Sequence, residues 1–442
     1  MTAKTAGRTG LRLALFAYVF FLSIEAMGSG MKASFKDALK TYLLENADTF
    51  TELMSFVMGI IGTSLVQSSS TVTSMAVVLT QEGIVPILIS IGIVHGANLG
   101  TSVTSSIVAF FSDIPALPRN PLAAINTLLF TPRGEGFERA VATGVVHGLF
   151  NAVLVTLLLL CVELPFGAIR RLSEATAGII GKSLEGSQTV MDILSWVSPK
   201  TYTKPIIHVL FDLSVPAPII VLLGFVLMFI ALRGFSRTMR VVVMGGRGEA
   251  TDTQSLEAIG DRLLGKTWLD TFARGLILTI LVQSSSATTS MVVPLAALGL
   301  FRIKRILPFI LGANIGTTTT ALIAAASDVG GSGFEAGLTI ALAHFYLNTA
   351  AVFLVVAIPP LRDSVLGVTS WLAKAAGQRP IALLGYLATM AFIVPGAVFF
   401  LPTTVATVMI AVLLALLIVL PHLFRTPQLD QTADEVIPKD AA

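Results

Sequence analysis

The stretch LVQSSSTVTSM at residues 65–75 places four consecutive hydrogen-bonding side chains, Gln67 to Ser70, inside a run that is otherwise apolar enough for lipid. At 281–291 LVQSSSATTSM repeats nine of those eleven residues. With the same offset, GANLGTSVT at 96–104 recurs as GANIGTTTT at 312–320. A third pair, FERAVATGVVHGLFN at 137–151 and FEAGLTIALAHFYLN at 334–348, shares its Phe, Glu, His and Asn in order. Each half of the chain thus runs from a Gln-Ser motif to a Gly-Asn-Gly motif to a long helix carrying His and Asn. Self-similarity of this kind constrains the fold before any local propensity does.

The setting of the repeats is membrane. The chain of 442 residues is 54% hydrophobic and 12% charged, half the roughly 25% charge of a soluble domain, with a mean hydropathy of +0.84. Stretches near the ~20 residues that cross a bilayer as a helix occur at Leu11 to Met27, Ala140 to Val162, Val215 to Leu232, Leu338 to Ile358, Ile381 to Leu401 and Thr404 to Leu420. The net charge of +3 comes from basic residues in short loops, not from a stripe, so nucleic acid is not expected as a partner and the charges read as topology signals. With Cys161 as its single cysteine, the chain has no intrachain disulfide, thiol redox pair or zinc site. Leu13 to Ile24 is expected to be a retained first helix, because Glu25 and the bulky residues before it make a poor signal-cleavage site.

Orientation follows from the positive-inside rule. FRIKR at 301–305 is basic where the aligned VPILI at 85–89 is uncharged, whereas TPRGEGFER at 131–139 carries Arg133 and Arg139 where DVGGSGFEA at 328–336 has no basic residue. The asymmetry reverses between copies, as inverted repeats require. We therefore expect an all-α integral membrane protein built from two inverted-topology repeats, each with a re-entrant helical hairpin and a broken transmembrane helix. Residues 1–49 hold the first transmembrane helix and an interfacial helix, with Phe35, Ala38, Leu39, Tyr42 and Leu43 on one face. Residues 50–162 form the first repeat, and 163–267 an external loop, a connecting helix and a cytoplasmic linker. Residues 268–360 form the second repeat, and 361–442 two C-terminal transmembrane helices and a tail. Both termini lie in the cytoplasm of a multi-pass plasma (inner) membrane protein.

Irregular backbone at membrane depth is tolerated only where protein buries it or it lines a wet cavity. Gln-Ser-Ser-Ser between short apolar arms is the natural tip of a hairpin, and the Gly-Ala-Asn-x-Gly-Thr segments are expected to interrupt their helices. Helix N-termini at such tips offer amides to an anion, while carbonyl, hydroxyl and amide oxygens suit a hard cation such as sodium. Ser, Thr and Gly also serve ordinary helix packing, but duplication of two motifs in one register favours a site. Proton coupling usually needs intramembrane carboxylates or histidines; Leu53 to Ser112 offers only Glu82 and His95, and Gly275 to Ser327 neither type, so sodium is the better coupling ion. His147 and His344 are expected to satisfy neighbouring helices, with Asn151 better placed for an ion.

These motifs, together with SPKTYTKPIIHVLFDLS at 198–214, resemble the type II sodium–phosphate cotransporter family, here in a bacterial-style member. The resemblance implies sodium-driven import of inorganic phosphate by alternating access, with no enzymatic activity and no cofactor beyond the coupling ions. By motif position it implies phosphate contacts at Ser68, Ser69, Ser284, Ser285 and Thr320. Sodium contacts are implied at Gln67, Ser70, Asn98, Thr101, Asn151, Gln283, Asn314 and Thr317. Relatives that move net charge carry Asp where this chain has Gly148, and some carry Ser where it has Ala313, so the implied transport is electroneutral. Arg133 is the one candidate for a phosphate-binding arginine, though a solvated topology charge is the better reading of it. Other oxyanions, or export on the same scaffold, would use the same motifs. A serine hydrolase would need one serine activated by a base, and the duplicated serines lack one within either motif; a channel would not move solute against its gradient.

Overall fold

The computed structural model describes residues 9–23, 25–26, 29–30, 33–34, 52–81, 83–181, 199–243, 260–326 and 332–423. The expected interfacial face from Phe35 to Leu43, Glu82, Ser327 and the tail after 423 lie outside these residues. Among the described residues the secondary structure is helical throughout, without strands. In chain order, α1 is Thr9–Ser23, α2 Glu52–Val66, α3 Ser69–Gln81, α4 Ile87–Phe110, α5 Pro121–Phe130 and α6 Glu135–Phe166. Then come α7 Ala168–Gly181, α8 Pro199–Asp212, α9 Ala217–Val243, α10 Trp268–Val282, α11 Ser285–Ala297, α12 Ile303–Ala325, α13 Phe334–Ala357 and α14 Pro359–Gln378. The last are α15 Ile381–Phe400 and α16 Thr403–Leu423. Five of these, α4, α6, α12, α13 and α15, are long and apolar enough to cross a membrane. The chain is an all-α membrane protein.

The two Gln-Ser motifs form the same turn. α2 ends when Gln67 enters the left-handed region at φ 56°, its N–H donating to the Thr63 carbonyl at 2.8 Å; α10 ends at Gln283 with φ 55° and a 2.7 Å bond to Thr279. A left-handed non-glycine residue costs roughly 1–2 kcal/mol, and the chain accepts that cost twice at one position. Ser68 and Ser284 then begin the next helices, their Oγ atoms accepting the Thr71 and Ala287 amides at 3.3 Å each. Capping of this kind satisfies one of the orphan donors of a helix start. The second arms end alike, at Gly83 (φ 67°) and Gly299 (φ 81°), where the amides of Ile84 and Leu300 reach back to the carbonyls of Leu79 and Leu295, a Schellman ending. Arms of 15 and 13 residues extend only about 20 Å, short of the ~30 Å hydrocarbon core.

The Gly-Asn-Gly motifs do not break their helices. α12 runs without interruption through Gly312, Asn314 and Gly316, and α4 departs from regularity only at Thr101, whose φ of −59° and ψ of −31° remain right-handed helical. A buried glycine lowers helix propensity by roughly 1 kcal/mol, which tertiary packing outweighs. What the glycines supply is contact. A Cβ at Gly96 would lie 1.8 Å from the Phe56 carbonyl oxygen, and one at Gly312 2.0 Å from that of Phe272. Gly59 and Gly275 on the opposing arms have the same relation to the Ile93 and Phe309 carbonyls. Each first arm is thereby seated backbone to backbone on its own glycine helix.

The second arms cross over. Gln81, at the end of α3, donates from Nε2 to the Ala325 carbonyl at 2.8 Å and packs under Gly333 and Gly337 at the start of α13. In the other copy Ala297, at the end of α11, packs against Gly136 at the start of α6. Each copy therefore closes around an element of the other. The buried apolar core is continuous through both.

Candidate functional site

Where the copies interlock, the buried polar side chains form one chain of hydrogen bonds. His147 on α6 lies with Nε2 2.5 Å from Asn314 Oδ1 on α12. Asn314 Nδ2 donates to Asn151 Oδ1 at 2.8 Å, and Asn151 Nδ2 donates to the Asn98 carbonyl on α4 at 2.8 Å. His344 on α13 closes the series, its Nε2 lying 3.0 Å from Asn98 Oδ1. An amide oxygen only accepts, so in both histidines Nε2 carries the hydrogen. Each histidine thus binds the Gly-Asn-Gly asparagine of the opposite copy. His147, Asn151 and His344 are fully buried, and Asn98 and Asn314 nearly so; side-chain hydrogen bonds across the copies at that depth fix how the two copies meet.

Around this centre stand the turn tips. Thr104 Oγ1 donates to Gln67 Oε1 at 2.9 Å, tying the first tip to α4, while Gln67 Nε2 bonds the Ser64 carbonyl. Ser286 Oγ donates to the Thr101 carbonyl at 3.3 Å, which joins the second tip to the first copy's motif. Ser68 Oγ is held within its own turn, 3.2 Å from Ser70 Oγ and 2.9 Å from Thr71 Oγ1. Thr101, Thr317 and Thr320 donate to the Ala97, Ala313 and Thr317 carbonyls of their own helices, leaving their oxygen lone pairs as acceptors. Every oxygen in this inventory is neutral: amide, hydroxyl or carbonyl.

Of the residues expected from sequence, Asn98, Asn151 and Asn314 meet directly. Ser68, Ser69, Ser284 and Ser285 sit at the first turns of α3 and α11, where unpaired amides favour an anion. Thr104 and Ser286 were not expected at the site. Their signal was present in position: Thr104 lies eight residues after Gly96, on the same face as Gly100, and Ser286 is the third serine of its motif. Gly148 faces Ser102 and Tyr386; a Cβ there would lie 2.4 Å from Ser102 Oγ and 2.7 Å from the Tyr386 hydroxyl.

Arg133 is neither solvated nor available to phosphate. It is 7% exposed, donating from Nη1 to the Phe110 carbonyl at 2.7 Å and from Nη2 to that of Leu128 at 2.9 Å, beneath the rings of Phe110 and Phe137. Burial lowers its pKa to about 10 against the pull of Asp113, so it remains a cation. Its bond to the last carbonyl of α4, with a second to the Leu128 carbonyl, makes it a cap. The loop it closes is long because it holds α5, whose residues are all at least partly exposed.

A model of the Na+/Pi-cotransporter family matches residues 19–161 and 243–361, more than half of the chain. The chain belongs to that family. The two matched blocks contain both Gln-Ser motifs and the whole hydrogen-bonded centre. Among similar proteins, sodium-dependent phosphate transport protein 2A of Mus musculus is 26% identical over 87% of this chain and 66% of its own length. The Rattus norvegicus protein 2A is 28% identical with the same coverage, and sodium-dependent phosphate transport protein 2B of Homo sapiens is 26% identical over 87% of this chain and 64% of its own. The chain thus spans just under two thirds of the length of these relatives. No solved structure matches it.

Proposed function

We propose that this chain imports inorganic phosphate by coupling it to sodium, in a plasma membrane, by alternating access. The observation that carries the proposal is the pairing of two identical Gln-Ser turns across one buried network of neutral oxygens and amides, in a chain of the Na+/Pi-cotransporter family. Phosphate is bound at the first turns of α3 and α11 by Ser68, Ser69, Ser284 and Ser285, with Thr320 of α12, because helix N-termini and hydroxyl donors complement an oxyanion. Sodium is held by the oxygens of Gln67, Ser70, Asn98, Thr101, Asn151, Gln283, Asn314 and Thr317.

The two copies are inverted, and α2–α3 and α10–α11 are re-entrant hairpins opening to opposite faces. Arms of about 20 Å and the reversed basic loops support this. The crossed packing of second arms supplies the moving part: each hairpin rests on its own glycine helix and on a helix of the other copy, so a shift at one tip is felt at both. Transport moves no net charge, since Gly148 leaves no carboxylate beside Ser102 and divalent phosphate with two sodium ions is neutral.

Purified protein in proteoliposomes should accumulate radiolabelled phosphate above equilibrium under an inward sodium gradient and not under matched potassium. Sodium-insensitive uptake would refute coupling. Stronger competition by sulfate or arsenate than by unlabelled phosphate would assign another oxyanion, and preferential efflux would assign export.

A further inference from the structure

Most buried threonines on these helices return their hydroxyl hydrogen to the carbonyl four residues earlier, as Thr73, Thr101, Thr143 and Thr289 do. Thr63 and Thr279 do not. Both residues are fully buried, and neither Oγ1 has a hydrogen-bond partner. They occupy the same place in the two copies, one turn before the left-handed glutamines whose amides bind their carbonyls. Glycines keep the opposing helix close: a Cβ at Gly100 would lie 2.7 Å from Thr63 Cβ, and one at Gly316 2.8 Å from Thr279 Cβ. Valine would fill either position without burying an unsatisfied oxygen, yet the hydroxyl is present twice.

The location selects the sign of the ligand. Thr63 and Thr279 lie in the last turns of α2 and α10, where the helix dipole and the unpaired carbonyls favour a cation. The anion-favouring helix starts are on the far side of the turn, at Ser68 and Ser284. We propose that Thr63 and Thr279 are cation ligands, one in each copy, each Oγ1 binding sodium beneath its tip together with the side-chain oxygen of Gln67 or Gln283. Thr104, whose hydroxyl already orients Gln67, completes an all-oxygen set in the first copy that suits a hard ion. This assignment rests on the sodium-coupled reading of the chain.

The test uses full-length protein carrying Thr63→Val or Thr279→Val, with Thr→Ser at each position as rescue and Thr→Ala as a second variant where valine crowds the facing glycine. Phosphate uptake is measured against sodium concentration at saturating phosphate, and thermal unfolding in detergent is measured in sodium against potassium without phosphate. The valine variants should melt in potassium at or above wild type, lose most of the sodium-specific shift, and need at least tenfold more sodium for half-maximal uptake; serine should restore both. Wild-type sodium activation and a wild-type sodium shift in the valine variants would overturn the assignment, as would serine failing to restore what valine removes. If wild-type uptake is itself sodium-independent, the coupled reading fails, and the melting shift decides the site alone: present in wild type and lost in valine supports it, absent in wild type overturns it.

Discussion

The two copies agree in the backbone of their hairpins and differ where side chains meet at the centre. The left-handed glutamines, capping serines, Schellman glycines and glycine-to-carbonyl contacts repeat position for position. The asparagines do not. Asn151 of the first copy accepts from Asn314 and donates to the Asn98 carbonyl. Asn348, its counterpart, donates back to the His344 carbonyl of its own helix, and its Oδ1 and the Asn98 Nδ2 that symmetry would pair are both left without partners. The duplicated scaffold thus has one half of its centre bonded and the other open. The difference lies in a few rotatable amides on a frame whose helices cannot separate cheaply.

The frame is the place where the largest effect is expected. Gly96→Ala and Gly312→Ala put a methyl within 2.0 Å of a carbonyl oxygen, and each should cost more than about 4 kcal/mol or abolish folded protein. Gly385→Ala, with nothing within 4 Å, should be neutral or stabilise by up to roughly 1 kcal/mol. Thermal unfolding and gel-filtration yield distinguish them. Equal tolerance at all three would mean the helices are not in backbone contact.

The centre comes next. Asn314→Ala strands His147 Nε2 and Asn151 Oδ1, whereas Asn98→Ala strands His344 Nε2 alone, because Asn151 bonds a backbone carbonyl. At roughly 1–3 kcal/mol per buried unpaired group, Asn314→Ala should destabilise about twice as much as Asn98→Ala. Equal losses in denaturant or thermal unfolding would mean the two halves are bonded alike in solution.

Smaller still is the tip. Ser284→Ala removes a cap worth about 1 kcal/mol and should raise the phosphate concentration for half-maximal uptake with little loss of maximal rate, which kinetic assay separates. An unchanged half-maximal phosphate concentration would take Ser284 out of the phosphate site. Smallest is the electrical signal: solid-supported-membrane recording of the wild type should show no sustained phosphate-dependent current, and a current of one charge per cycle would contradict the role given to Gly148.

Much of this was legible in the sequence. Duplication located both tips, and identical residues gave identical turns because caps and left-handed positions are decided within four or five residues. The membrane class followed from apolar length alone. The helix interruption at Gly-Asn-Gly was misread because local propensity counts glycine as a breaker, while here its missing side chain is used by a helix far along the chain. The crossing of the histidines to the opposite asparagines was equally hidden, since nothing in either copy states which partner lies across the interface. Arg133 looked like a loop charge because nothing in the loop sequence states that its guanidinium folds back onto the Phe110 carbonyl and ring, 23 residues earlier.

The central claim is that the two copies face opposite ways, and side-specific labelling tests it most directly. Arg119 and Ser332, in the loops that follow α4 and α12, are exposed. Single cysteines at Arg119 and Ser332 on a Cys161→Ala background should react with an impermeant thiol reagent from the inside and the outside respectively. Labelling of both from one side would contradict inversion and with it the alternation of two mirrored hairpins.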